Sequence, residues 1–215
     1  MELFKLLLIV HIIGGFTSLL IGLCIMLLKK GNKKHKTLGK IYFYSMLTAS
    51  TVAIPMSYLH PNYFLFLISI FTIYMVVTGV RYLNKQRTLE INTLDWLLTA
   101  IMLFFALAFI VFGIFNIVKR NNFGIVFIAF GSIGAFFSYQ DFINFKGKSK
   151  IKNYFLITHL QRMVGSYIAS VTAFLVVNNN NFLPSILAWL LPTALLVPLI
   201  VFWSRKYNVV NKNVT

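Results

Sequence analysis

An all-α membrane bundle of seven spanning helices is the fold class this sequence predicts, and three observations predict it. The chain holds seven apolar runs of about 20 residues, the length an α-helix needs to cross roughly 30 Å of hydrocarbon. Its basic residues gather in alternate loops, as topology signals do. No polar tract is long enough to form a soluble domain, so residues 1–215 read as one transmembrane domain. With 59% hydrophobic and only 11% charged residues and a mean hydropathy of +0.80, the composition excludes an ordinary soluble globule.

The first run, about 4–28, resembles a signal peptide, but Leu23 stands before Cys24 where a lipoprotein cleavage box needs a small residue, so it reads as an uncleaved helix. Its His11, Gly14, Gly15, Ser18 and Gly22 share one arc at 100° per residue. A lysine-rich loop containing His35 leads into the second run, 39–59, which ends at His60 in "YLHPN". Runs three and four, 63–83 and 95–117, flank a loop with Arg81, Lys85 and Arg87. Run five, 123–141, carries "GSIGAF", whose Gly131, Ser132, Gly134 and Ala135 suit helix contact, and it ends at Asp141. Run six, 153–177, contains "ITHLQRM". On it His159, Arg162, Ser166, Ala169, Ser170 and Ala173 form a polar, small-residue face opposite Leu160, Val164, Ile168, Val171 and Leu175, which suit lipid. The turn "VVNNNNFLP" separates it from run seven, 183–203, with Pro184 in the first turn.

The formal charge is +16. Lys29, Lys30, Lys33, Lys34, Lys36, Lys40, Arg81, Lys85, Arg87, Lys146, Lys148, Lys150, Lys152, Arg205, Lys206 and Lys212 fall on one side, against Lys5, Lys119 and Arg120 on the other. The positive-inside rule then sets the N-terminus outside and the C-terminus in the cytoplasm. The bilayer accounts for this charge through anionic lipid head groups at the cytoplasmic loops; no base-stacking motif accompanies it, so nucleic acid is not the expected partner. A single cysteine excludes an internal disulfide. The Asn213 sequon falls in the predicted cytoplasmic tail, where glycosylation is not expected.

Polar groups at membrane depth are costly unless paired or wetted, and mark candidate sites. From rises of 1.5 Å per residue, His35, Asp141, His159 and Arg162 converge near the cytoplasmic boundary. His11 and His60 lie in the outer half, about 10 Å apart in depth, and a pairing of His11 with His159 across the middle is also allowed. Three chemistries compete. His11, His35, His60 and His159 can be axial ligands of haem b in a redox or electron-transfer bundle, with Arg162 neutralising propionates. His35, Asp141 and His159 can instead hold zinc at the rim and activate water for a membrane hydrolase, although no His pair at i and i+4 is present. The third reading is a non-catalytic accessory or transport protein in which Asp141 pairs with Arg162 or a nearby Lys, the histidines hydrogen-bond to hydroxyls of neighbouring helices, and the cluster is structural. No phosphate-binding glycine loop, nucleophile elbow or Cys-x-x-Cys is present.

The blocks "HIIGGFTSLLIG", "KKHKTLGKIYFYSML", "SYQDF", "THLQRMVGSYIASVTAFLVVN" and "LPSILAWLLPT" resemble the DUF2306 family of predicted bacterial multi-pass membrane proteins, in order and over most of the chain. The family pattern matches His11, His35 with Gly39, Asp141, and His159 with Arg162 and Met163; His60 has no clear place in it. The resemblance implies a multi-pass protein of the bacterial inner membrane and a functional set of His11, His35, Asp141, His159 and Arg162. It implies no reaction.

Overall fold

A computed structural model describes residues 2–88, 90–149 and 151–208, with the side chains of residues 85–88 excepted. Lys150, Lys212 and the Asn213 sequon lie outside the described residues, as do the side chains of Lys85 and Arg87. Seven helices follow one another: α1 (Glu2–Leu27), α2 (Lys33–Leu59), α3 (Tyr63–Thr88), α4 (Thr93–Val118), α5 (Gly124–Phe145), α6 (Tyr154–Val177) and α7 (Ser185–Tyr207). All but α2 are long and apolar enough to cross a membrane, which makes the chain a multi-pass membrane protein. The 27-residue α2 is long enough at roughly 40 Å. Its opening lysines and its hydroxyl residues dilute its hydropathy.

The helices run up and down. Phe4 of α1 meets His60 at the far end of α2, with ring centroids 4.0 Å apart and the rings tilted by 57°. Tyr63 at the start of α3 meets Phe112 near the end of α4. At the other pole, Asn153 ahead of α6 donates its side-chain amide to the Tyr207 carbonyl at the end of α7. This alternation collects the basic segments around residues 29–40, 81, 146–149, 151–152 and 205–206 at one pole, termed here the basic end. Hydrocarbon offers little drive for apolar helices to associate, so contact depends on close approach and interhelical hydrogen bonds. A Cβ on Gly14 would lie 2.9 Å from the Ser45 carbonyl oxygen, and one on Gly131 2.7 Å from that of Ala106. These glycines set how closely α1 meets α2 and α5 meets α4.

Three boundaries or faces differ from the sequence expectation. Helix α5 continues for a turn past Asp141 to Phe145, so Asp141 lies inside the helix rather than ending it. Helix α2 starts at Lys33, where the Asn32 side-chain oxygen accepts the His35 backbone N–H at 2.7 Å; an N-cap of this kind satisfies a free first-turn donor. Helix α6 is not two-faced: Val164 and Ile168, expected toward lipid, are buried with Arg162, Ser166 and Ala169. The reason is positional, because α6 packs against α1, α3 and α7 and reaches α2 through Tyr42 and Ser166.

Candidate functional site

Asp141 and Arg162 are both fully buried and form an ion pair, Arg162 Nη2 to Asp141 Oδ1 at 2.7 Å. Burying either charge alone would be costly, and the surroundings answer that cost with a full set of donors. Tyr74 and Tyr82 of α3 donate their hydroxyls to Asp141 Oδ2 and Oδ1 at 2.5 and 2.8 Å. Thr99 of α4 donates to Oδ2 at 3.1 Å. Four donors on two oxygens match the acceptor capacity of an ionised carboxylate. One carboxylate on α5 therefore ties together α3, α4 and α6. Arg162 Nη2 also donates to the Phe137 carbonyl at 2.9 Å, and the guanidinium lies between two rings, 4.1 Å from the centroid of Phe137 and 4.8 Å from that of Tyr74. Its Nε and Nη1 have no hydrogen-bond acceptor among the described residues; ring faces take up part of that deficit. Asn144 extends the network to the Tyr82 hydroxyl and to Thr158.

A second pair of opposite charges bridges α3 and α4 nearer the basic end. Arg81 Nε donates to Asp95 Oδ1 at 2.6 Å, its Nη2 to the Asn92 side chain at 2.7 Å, and the other Asp95 oxygen accepts the Asn92 backbone N–H.

The histidines are placed differently. His159 Nδ1 lies 2.8 Å from the Gly79 carbonyl of α3, and His11 Nδ1 2.9 Å from the Ala49 carbonyl of α2. A carbonyl can only accept, so each Nδ1 carries a proton, and in the neutral imidazole Nε2 is then the nitrogen with the lone pair. Gly79 is suited to this contact, since a Cβ there would press within 3.0 Å of the Arg162 and Met163 side chains.

Register sets the levels. Tyr42 of α2 and Ser166 of α6 share a hydrogen bond at 2.8 Å. His35 precedes Tyr42 by seven residues and His159 precedes Ser166 by seven, so the two histidines face each other at one level near the basic end. His35 Nδ1 is buried without a hydrogen-bond partner among the described residues. In the first turn of α2, ahead of the apolar stretch, burial lowers the His35 pKa, with Lys30 and His159 adding to the shift. Lys30, in the same corner, donates to the Ile25 and Met26 carbonyls at the end of α1, and burial lowers its pKa too.

Not every expected convergence forms. His11, level with Ala49, stands 14 residues along the bundle from His35, or about 21 Å, so His11 and His159 are not a pair. His60 is exposed at the opposite end, in tilted contact with the Phe4 ring. The four expected inner groups divide in two: Arg162 turns to Asp141 on α5, and His159, three residues earlier, turns to α3. His35, Asp141 and His159 are not brought together, and among the described residues no three His, Cys, Asp or Glu side chains gather as a metal site.

The hydroxyl partners of Asp141, namely Tyr74, Tyr82 and Thr99, escaped the sequence reading, whereas Arg162 did not. Their signal is a polar residue one or two turns from another on the same face: Tyr74, Thr78 and Tyr82 on α3, Asp95 and Thr99 on α4, Asp141 and Asn144 on α5, and Thr158 and Arg162 on α6. Compared with protein-family models, curated proteins and solved structures, the chain matches none, so its description rests on this geometry.

Proposed function

We propose that the chain is a seven-span protein of a bacterial inner membrane, N-terminus outside, that binds haem b through His35 and His159 and acts in electron transfer. Its basic end faces the cytoplasm and anionic lipid head groups. The observation that carries the haem reading is the orientation of His159. Its Nδ1–H rests on the Gly79 carbonyl, the outer-shell contact that fixes ligating histidines and leaves Nε2 for a metal. His35 stands opposite at the same level from another helix, as bis-histidine ligation in a bundle requires. Lys30 and the lysines of this end supply charge suited to propionates. Haem would supply one-electron chemistry; the chain's own residues orient the ligands and hold the surrounding helices.

A second reading, a structural role for the polar core, is favoured for Asp141 and Arg162 by the saturated carboxylate. In this account they lock the bundle and take no part in chemistry. The zinc-hydrolase alternative has less support, because Asp141 would have to give up four donors to become a ligand. Kinship with DUF2306 remains part of the proposal.

Absorption spectra of the full chain, expressed with haem supplied and purified in detergent, test the assignment. A Soret band that shifts on reduction is expected in wild type and is lost in His159→Gln, while His60→Gln keeps it. Absence of the band from folded wild-type protein sinks the haem reading, and zinc near one per chain in elemental analysis would replace it with the hydrolase.

A further inference from the structure

Two shallow grooves open on the outer flanks of the bundle. One, of about 510 Å³, runs along α4 from Phe104 to Phe115 and has no charged residue in its lining. The other, of about 650 Å³, is lined by Val197, Pro198, Val201 and Phe202 of α7 and ends at Arg205 and Lys206. An apolar track capped by two cations has the polarity of an anionic phospholipid, with a hydrocarbon chain below and a phosphate above.

The second groove has fixed ends. Helix α7 buries only Ala188, Trp189 and Pro192, so its later half presents Val201 and Phe202 outward, 43% and 58% exposed. Its last turn is nevertheless held in place. Asn153 donates to the Tyr207 carbonyl, and the Lys30 ammonium sits 4.5 Å from the centroid of the Trp203 ring. Arg205 and Lys206 are both exposed and stand on a helix end that is tied to α6 and to the α1–α2 loop. Cations in a last turn also complement the helix dipole, but that role needs no apolar track beneath them.

We propose that this groove binds one anionic phospholipid, an acyl chain lying on Val197, Pro198, Val201 and Phe202 and the phosphate held by Arg205 and Lys206. The proposal rests on the reading that the basic end meets anionic head groups, and narrows it to one site. Charge complementarity selects the lipid over a second copy of the chain. Two copies pairing side by side along α7 in the same orientation would set Arg205 and Lys206 against their own counterparts, and like charges at an interface oppose association.

Native mass spectrometry of the full chain, titrated in detergent with phosphatidylglycerol or phosphatidylcholine, tests the site. Wild type is expected to retain one phosphatidylglycerol in preference to phosphatidylcholine, and inorganic phosphate is expected not to displace it. At about fivefold per cation, the double variant Arg205→Gln/Lys206→Gln should bind phosphatidylglycerol about 25-fold more weakly. Val201→Trp, a change on an exposed apolar surface, should block the track and reduce binding with both cations intact. Lys33→Gln/Lys34→Gln, at the same end of the bundle, should leave the preference in place. If that lysine pair abolishes the preference and the α7 variants do not, anionic lipid binds elsewhere and the groove assignment fails alone. No preference in wild type overturns both the groove and the reading beneath it. A dimer that Val201→Trp disperses would assign the groove to a second copy instead.

Discussion

The Asp141 network and the His35–His159 corner lie within one turn of each other on α6, where His159 precedes Arg162 by three residues, yet they solve the problem of polar groups in an apolar protein in opposite ways. Around Asp141 both carboxylate oxygens are filled by donors from three helices. At the histidines one ring nitrogen is anchored on a backbone carbonyl and another is buried without a partner among the described residues. A saturated site resists change and holds helices together. A site with free lone pairs keeps capacity for a ligand or a proton. The difference teaches that polarity alone does not mark chemistry; unspent hydrogen-bonding capacity does.

Removing one member of the ion pair is the strongest way to break this contrast. Arg162→Met leaves a carboxylate uncompensated in the interior, and such losses cost about 3–5 kcal/mol. Thermal unfolding in detergent should show a large drop for Arg162→Met, with Asp141→Asn/Arg162→Met recovering part of it. If the single variant unfolds like wild type, the network is not a lock. A smaller effect, about 1–3 kcal/mol, is expected for Tyr82→Phe, which removes a hydroxyl donor from a buried charged acceptor and strips Asn144 of a partner. Equal unfolding of Tyr82→Phe and wild type would show that Asp141 does not depend on its full donor set.

The smallest effect concerns pH. The His35 pKa is held below the ordinary imidazole value of 6.5 by burial first, then by Lys30 and His159. The unfolded chain then binds a proton more readily than the folded one, so stability from this group is complete above pH 6.5 and declines as the pH falls below it. His35→Gln should flatten that acid-side decline and change nothing above it. A decline of the same steepness in the variant would assign the sensitivity to another group.

The number of helices was legible because crossing hydrocarbon imposes a length and an apolarity that composition displays directly. Fine boundaries were less so: the lysines opening α2 and the polar end of α5 read as loop, while α2 begins at Lys33 behind the Asn32 side-chain cap and α5 runs on to Phe145. Gly14 and Gly15 show the limit most simply. Periodicity gives them one face, yet a Cβ on Gly14 meets α2 and one on Gly15 meets nothing within 4 Å. The same holds for α6, where the expected lipid-facing stripe includes Val164 and Ile168, which α6 buries against its neighbours.

By itself the sequence determined that this chain lies in a bilayer as a helical bundle with its basic segments on alternate connections, since those properties depend on local hydropathy and charge. It also singled out Asp141, Arg162 and the histidines, because ionisable groups are conspicuous in apolar helices. Only the tertiary structure decided who meets whom. Arg162 spends its charge on Asp141, His159 leans on Gly79, and His11 stands about 21 Å away along the bundle. Those choices follow from helix register and rotation, which neighbouring helices set jointly and no single segment encodes.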